Sequence, residues 1–249
     1  PLLGESQGLS VYLDGIRINE SFGDTVQWEL VPENAIKQID LMSSNPAFGL
    51  NALGGSLALT TKKGLDYKNT EFIDTINKLG SFNYSSDLLE YGYGDNIFGT
   101  YTSIEIERDG GWRDHSDGDI SRFFTNYGFE KDNYDLSISF LGGNTDLNGN
   151  GVVPIELLEK NREAVFTWPD KTSNKMSLFY GISNFYTKKD AVISANIYHK
   201  RLYRTTFNAD EIDAEECAEN SAADATELKN DYGFDDSPLC GEDNSTGDY

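Results

Sequence analysis

Cysteine and histidine are scarce in this sequence, basic side chains are outnumbered, and no long hydrophobic run is present. Two cysteines, Cys217 and Cys240, and two histidines, His115 and His199, occur in 249 residues. Neither histidine sits in a Ser/His/Asp pattern, and carboxylates are so numerous that a pair of them singles out nothing, so no catalytic constellation is legible and an enzyme is not expected. A metal site would want further Cys or His ligands near the two cysteines. The pair flanks a polar stretch and reads instead as a disulfide, Cys217 to Cys240, of an oxidising compartment, with a metal site as the alternative. No apolar run approaches the length of a membrane-spanning helix. That absence leaves a β-barrel open, because barrel strands carry a lipid-facing residue only at every second position. The sequence starts at Pro1 with neither a charged n-region nor an apolar h-region, so no secretory signal is read in it.

Forty-two acidic against twenty basic side chains give a formal charge of -22, which argues against nucleic-acid or anionic-lipid binding as the main task. The excess is uneven: residues 207–249 hold fourteen acidic residues and one basic one, Lys229. A solvated acidic loop accounts for this, and a cation-attracting surface is the rival explanation. Tyrosine and phenylalanine, at 14 each, are plentiful, which suits strands and interfacial aromatic girdles.

Beyond Gly64 and a short LDYKN linker, polar and apolar residues alternate with the two-residue period of strands. Thr102, Ile104 and Ile106 alternate with Tyr101, Ser103, Glu105 and Glu107, and Leu136, Ile138 and Phe140 with Asp135, Ser137 and Ser139. Further strands are expected around Phe123–Phe129, Leu178–Ile182 and Ile193–Ile197, with weaker ones near 71–79 and 83–93, about seven in all. Tight turns at Gly94-Asp95-Asn96, Lys131-Asp132-Asn133 and Lys188-Lys189-Asp190 alternate with connections at 108–119, 144–173 and 206–249 that are long. Only the connection near Gly80-Ser81 on that second side is short. Short turns at one end and long loops at the other are the rhythm of outer-membrane barrels.

The stretch from Val11 to Lys63 has a different grain. Val11-Tyr12-Leu13 ends in the turn pair Asp14-Gly15. Pro32 opens an expected short helix, PENAIKQI, since a first-turn proline forgoes an N–H that would be unpaired anyway. Ile39 and Leu41 alternate as a strand, Gly49, Gly54 and Gly55 punctuate a loop, and SLALTTKK closes as another strand. The ordered set of the LDG turn, proline-led segment, IDLM strand, FGLNALGG segment and closing Thr60-Thr61-Lys62 resembles the second half of the plug domain of TonB-dependent outer-membrane receptors. The resemblance implies a mainly β fold: a partial α+β plug over 1–65, then, over 66–249, the first strands of an antiparallel up-and-down transmembrane barrel. A barrel of that family has 22 strands and a plugged lumen, so the chain is expected to be an internal fragment.

The implied function is energised uptake of a scarce substrate at the outer membrane of a Gram-negative bacterium, a ferric siderophore or other iron chelate first. The implied partners are the inner-membrane TonB complex, acting through a segment not present here, the extracellular substrate and outer-membrane lipid, with no nucleic acid and no resident cofactor. The long connections would then face outside the cell. The loop from Asn19 to Trp28 matches a plug loop that helps to floor the substrate cavity. Asn19, Glu20, Phe22, Asp24, Gln27 and Trp28 offer polar groups beside aromatics; the rival reading has Phe22 and Trp28 packing the plug against the wall, Trp28 above all. Gly15, Gly49, Gly54 and Gly55 are its structural glycines. Asp146, Asn148 and Asn150 fit the opening of a calcium loop, but the closing glutamate should stand at Leu157 and Glu156 falls one residue early, so a plain Asn/Gly turn is the competing reading. A passive porin and a surface adhesion or ion-binding protein are the other functional readings.

Overall fold

A computed structural model of the chain describes residues 8–21, 24–42, 54–149, 151–186, 191–208, 214–216 and 239–241. The chain divides into two compact units: residues 1–110, 117–147 and 172–205 form one, and residues 111–116, 148–171 and 206–249 the other.

The first unit contains two sheets. The smaller has four strands, β1 (Leu9–Leu13), β2 (Ile16–Arg17), β3 (Ile36–Met42) and β4 (Gly55–Thr61), in the order β2-β1-β4-β3. β1 runs parallel to β4, and the other pairs are antiparallel. The hairpin between β1 and β2 turns on Asp14 and Gly15, at φ +48° and +83°. A two-residue turn with both centres at positive φ matches the twist of its flanking strands, which explains the Asp-Gly pair.

The helix expected from Pro32 is not formed. Only a 3₁₀ turn, Glu33–Ala35, follows Pro32, and Ile36 already begins β3. The Ala35 carbonyl accepts from Lys62 N at 2.8 Å, so the backbone group that would continue a helix is taken by the end of the plug segment. The β-branched Ile36 and Ile39 favour the strand in any case.

The larger sheet has seven strands in sequential order: β5 (Thr70–Leu79), β6 (Ser85–Gly94), β7 (Phe98–Asp109), β8 (Gly118–Lys131), β9 (Tyr134–Asn148), β10 (Lys171–Tyr186) and β11 (Val192–Phe207). All have ten residues or more, enough for a tilted strand to cross a bilayer. The connections alternate as expected, with tight turns at Asp95–Ile97 and Asp132–Asn133. The turn at Lys188-Lys189-Asp190 lies outside the described residues. The 144–173 connection is shorter than its polar sequence implied, because Asn144–Asn148 extend β9 and Lys171 begins β10.

The two faces of this sheet carry opposite chemistry, and the polar face is the buried one. Tyr101, Ser103, Arg122, Phe124, Asn126, Ser139, Leu141, Thr145, Asn174, Leu178 and Tyr180 are buried, whereas Ile73, Leu89, Ile104, Ile106, Phe140, Phe179, Ile193 and Ile197 are exposed. Ile197 keeps 72% of its surface and Ile73 67%. A soluble sheet would bury the second set; the inversion is what a lipid-facing wall requires. The buried face packs on the plug sheet through one cluster that joins Val11, Leu13, Ile16, Val31, Ala35 and Leu59 to Tyr101, Phe124, Leu141, Leu178 and Tyr180.

The second unit holds helix α1 (Ile155–Lys160) and a strand pair, β12 (Ala214–Glu216) and β13 (Leu239–Gly241). Asp114 N donates to Glu163 O at 2.9 Å, and His115 stacks on Trp168 at 4.4 Å. Cys240 stands opposite Glu215 in the strand pair; Cys217, its expected disulfide partner, lies outside the described residues.

Candidate functional site

The plug meets the wall at two places: the point where the plug chain leaves its sheet, and the loop expected to floor a cavity. At the exit, Asp14 is the hub. Its carboxylate reaches across to the far end of β4. Its Oδ1 accepts from Thr61 N at 3.0 Å, and its Oδ2 from Thr61 Oγ1 at 2.6 Å, from Tyr180 OH of β10 at 2.5 Å and from Lys63 Nζ. The Asp14 side chain is 4% exposed. Burial pushes its carboxyl up, but the Lys63 ammonium and the bonds from Lys63, Thr61 and Tyr180 outweigh burial and hold it below the usual carboxylate range. Burial dominates at Lys63, whose ammonium is pulled down in spite of Asp14 and Asp66.

Next to this hub Lys62 pairs with Glu90 of β6 at 2.7 Å, and Tyr101 OH donates both to that carboxylate and, at 3.2 Å, to Asn34 O. Gly64 then touches β7 backbone to backbone: a Cβ on Gly64 would lie 2.2 Å from Gly99 C, and one on Gly99 would lie 2.4 Å from Gly64 C. Gly64 N donates to Asn126 Oδ1 at 2.8 Å, and the Asn126 amide donates to Ser137 and Ser139, both at 2.8 Å. The exit is thus tied to β6, β7, β8 and β10, and Asn126 carries the link on to β9.

In the floor loop the candidates separate. Asn19 is buried and spent inside the plug: Oδ1 accepts from Val11 N at 2.8 Å, and Nδ2 donates to Leu9 O and Asp24 O. It is a clasp, with no free group to offer a substrate. Asp24 pairs with Arg17 at 2.6 Å. Glu20 accepts from Gln27 Nε2 at 2.5 Å and lies 3.4 Å from Arg204 of β11. Trp28 is 47% exposed rather than packed on the wall, because the 3₁₀ turn Trp28–Leu30 sends Leu30 inward instead. Leu30 occupies the space left by Gly143 of β9, where a Cβ would stand 2.9 Å from Leu30 Cδ2. Phe22 lies outside the described residues.

Three wall side chains grip this loop. Arg122 of β8 donates to Glu29 O at 2.5 Å and to Glu105 at 2.7 Å. Asn174 of β10 donates to Glu29 Oε1 at 2.9 Å, and Lys200 of β11 to the carbonyls of Ile18 and Asn19. Sequence reading missed Arg122, Asn126, Asn174, Tyr180 and Lys200 as site residues. The signal for them was the polar half of each strand's alternation, which becomes meaningful once that half is known to face a plug.

Gly15 and Gly55, at φ +83° and +125°, hold backbone conformations that favour glycine. Gly54 N donates to Gly8 O; Gly49 lies outside the described residues. Asp146 and Asn148 are in β9 rather than in a loop, and Asp146 accepts from Ser173 Oγ at 3.1 Å. Asn150 is outside the described residues. Among the described residues no group of three or more His, Cys, Asp or Glu side chains is arranged to hold a metal ion.

No protein-family model matches the sequence, and no curated protein is similar to it in sequence. Solved structures do match. The unliganded ferric citrate transporter FecA is 15% identical, with a TM-score of 0.69, over 84% of this chain and 33% of that one. The siderophore receptor PiuA from Acinetobacter baumannii is 16% identical, with a TM-score of 0.65, over 81% and 30%. The ferripyoverdine receptor of the outer membrane of Pseudomonas aeruginosa is 13% identical, with a TM-score of 0.62, over 87% and 30%. The chain spans about a third of the length of these proteins, which are transporters and receptors rather than enzymes. Its fold is that of a segment of a TonB-dependent receptor, a partial plug followed by seven antiparallel up-and-down strands.

Proposed function

We propose that this chain is the rear part of the plug, up to about residue 65, and the first third of the barrel of a TonB-dependent outer-membrane receptor, which takes up a scarce substrate, a ferric siderophore or other iron chelate first. One observation carries the reading: a sheet whose exposed face is apolar holds, on its polar face, a second sheet that would obstruct a lumen. A passive porin needs an open lumen and has no use for that second sheet. The matching structures support the choice of substrate class, since FecA is a ferric citrate transporter and the Pseudomonas protein a ferripyoverdine receptor.

In this reading the floor loop, with Glu20, Asp24, Gln27 and the exposed Trp28, meets substrate entering from outside. The inner-membrane TonB complex would do the work of loosening the plug, against the bonds at Asp14, Glu90, Arg122 and Lys200. Every cation of this junction is already engaged by a plug or wall acceptor, so an anionic chelate would need basic groups from elsewhere.

The test is uptake of radiolabelled iron by cells with and without the full-length gene, across a panel of chelates, before and after collapse of the inner-membrane proton gradient. Gradient-dependent uptake of one chelate that needs the gene is the expected result. Uptake indifferent to the gradient would favour the porin. No uptake of any member, with cell-surface binding lost on deleting residues 207–249, would favour the adhesion or ion-binding reading.

A further inference from the structure

Where the floor loop meets the wall, the carboxylates are matched to cations with one exception. Asp24 has Arg17, Glu20 has Arg204, and Glu105 has Arg122. Glu29, on the 3₁₀ turn that ends the loop, pairs with no basic side chain among the described residues, and its Oε1 accepts from the side-chain amide of Asn174 on β10. Around that amide, oxygen is in excess. Asn174 Nδ2 lies 2.9 Å from Glu29 Oε1 and 3.3 Å from both Gln27 Oε1 and Thr145 Oγ1 of β9, so two N–H groups are shared among three oxygens. Asn174 is only 3% exposed, and its own Oδ1 is buried with no donor. A buried polar atom without a partner calls for an explanation, and a bound ion is one.

The neighbouring oxygens are held in place. Gln27 cannot turn its oxygen away, because its Nε2 donates to Glu20 Oε1 at 2.5 Å. Arg122 fixes the turn by donating to Glu29 O at 2.5 Å. The Asn174 amide, in contrast, exchanges its nitrogen and oxygen by a half-turn that leaves its outline unchanged. Turned, it sets a fourth oxygen at 2.9 to 3.3 Å from those of Glu29, Gln27 and Thr145. Oxygens that share a calcium ion at about 2.4 Å stand roughly 3 Å apart. With no cation among them these oxygens repel, and the amide keeps its N–H groups inward; a cation reverses that preference. One carboxylate, two amide carbonyls and a hydroxyl form an all-oxygen set, which disfavours zinc and other metals that prefer nitrogen or sulfur. Magnesium gives up its waters reluctantly and demands a near-ideal octahedron, so a set of mostly neutral oxygens favours calcium.

We propose that Gln27, Glu29, Thr145 and Asn174 form a calcium site that pins the floor loop to β9 and β10, with the Asn174 amide turning as the ion enters. A single carboxylate places the site among the weak calcium sites of extracellular proteins, with a Kd of about 1 mM. The site rests on the contact between loop and wall within this chain and does not depend on what is transported, so its test and the uptake test fail independently.

The test is hydrogen exchange of the full-length protein in detergent, followed on the peptide covering Val26–Leu30, with and without calcium and with magnesium at the same concentration. With a Kd of about 1 mM, about 5 mM calcium should slow exchange of this peptide roughly sixfold, while peptides of β8 away from the loop stay unchanged. Glu29→Gln should abolish the calcium effect. Asn174→Asp separates the site from a plain clasp. Without calcium it sets a carboxylate against the other oxygens and should speed exchange; with calcium the added charge should tighten binding about tenfold and slow exchange below the wild-type rate. Heat-dependent gel mobility reports folding in each variant. Exchange of the Val26–Leu30 peptide that ignores calcium in folded wild type would overturn the proposal. So would equal slowing by magnesium or in Glu29→Gln, or an Asn174→Asp variant loosened alike with and without calcium.

Discussion

Replacing Asp14 with Asn should loosen the plug's attachment without altering its contour. Asn tolerates the left-handed backbone that Asp14 adopts at φ +48°, so the hairpin turn survives and the charge alone is removed. Four hydrogen bonds converge on the carboxylate, from Thr61 N, Thr61 Oγ1, Lys63 Nζ and Tyr180 OH. Breaking a fully buried ion pair by removing one member costs about 3–5 kcal/mol. Lys63 is 23% exposed and keeps the attraction of Asp66, and the new amide can still accept some of the bonds, so the expected loss is about 2 kcal/mol. At 1.4 kcal/mol per factor of ten, that is roughly a thirtyfold rise in the rate at which β4 opens to solvent. Hydrogen exchange of the full-length protein in detergent, followed on the peptide covering Gly55–Thr61, reads this directly. Amides of β8 and β9 away from the junction should keep their protection. Unchanged exchange in β4 would refute the idea that Asp14 holds the plug to the wall.

The same group sets a pH dependence: because its folded pKa is held below 3.8, its stabilisation is fully present above that value and is lost as pH falls through the folded pKa, so the protection of β4 amides, taken relative to the intrinsic exchange rate at each pH, should fall with acid more in wild type than in Asp14→Asn. Gly64→Ala places a Cβ 2.2 Å from Gly99 C; backbone cannot yield as a side-chain tip can, so a loss of about 3 kcal/mol or more and faster proteolysis of the plug are expected. Asn19→Ala leaves Val11 N, Leu9 O and Asp24 O without their partner and should destabilise the plug by about 1–3 kcal/mol. Trp28→Ala should change stability by no more than about 0.5 kcal/mol while weakening substrate binding in a titration; a large stability loss would return Trp28 to a packing role.

The sheet was legible because a two-residue period survives whichever face is buried: Thr102-Ile104-Ile106 against Tyr101-Ser103-Glu105 marks a strand in either case. Alternation alone cannot say which face meets the core. The turn rhythm and the plug-like order of motifs supplied that, and the burial of Ser103, Arg122 and Asn126 agrees with it. The floor loop was legible as a segment but not residue by residue. Asn19 and Glu20 are adjacent polar side chains, yet one is consumed by three backbone groups while the other faces Arg204. The hub at Asp14 was hidden because its partners, Thr61, Lys63 and Tyr180, lie 47, 49 and 166 residues away. The helix expected after Pro32 failed for the same reason, since the Ala35 carbonyl is claimed by Lys62 from a distant part of the chain.

The central claim is that the seven strands present their apolar face to lipid and their polar face to a plug. Spin labels placed singly from Leu178 to Phe185 on β10, in the full-length protein reconstituted in bilayers, test it through accessibility to oxygen, which concentrates in lipid. High accessibility at Phe179, Gly181, Ser183 and Phe185, alternating with low values at Leu178, Tyr180, Ile182 and Asn184, is the predicted pattern. The opposite phase, or high accessibility to a water-soluble reagent at both sets, would contradict it.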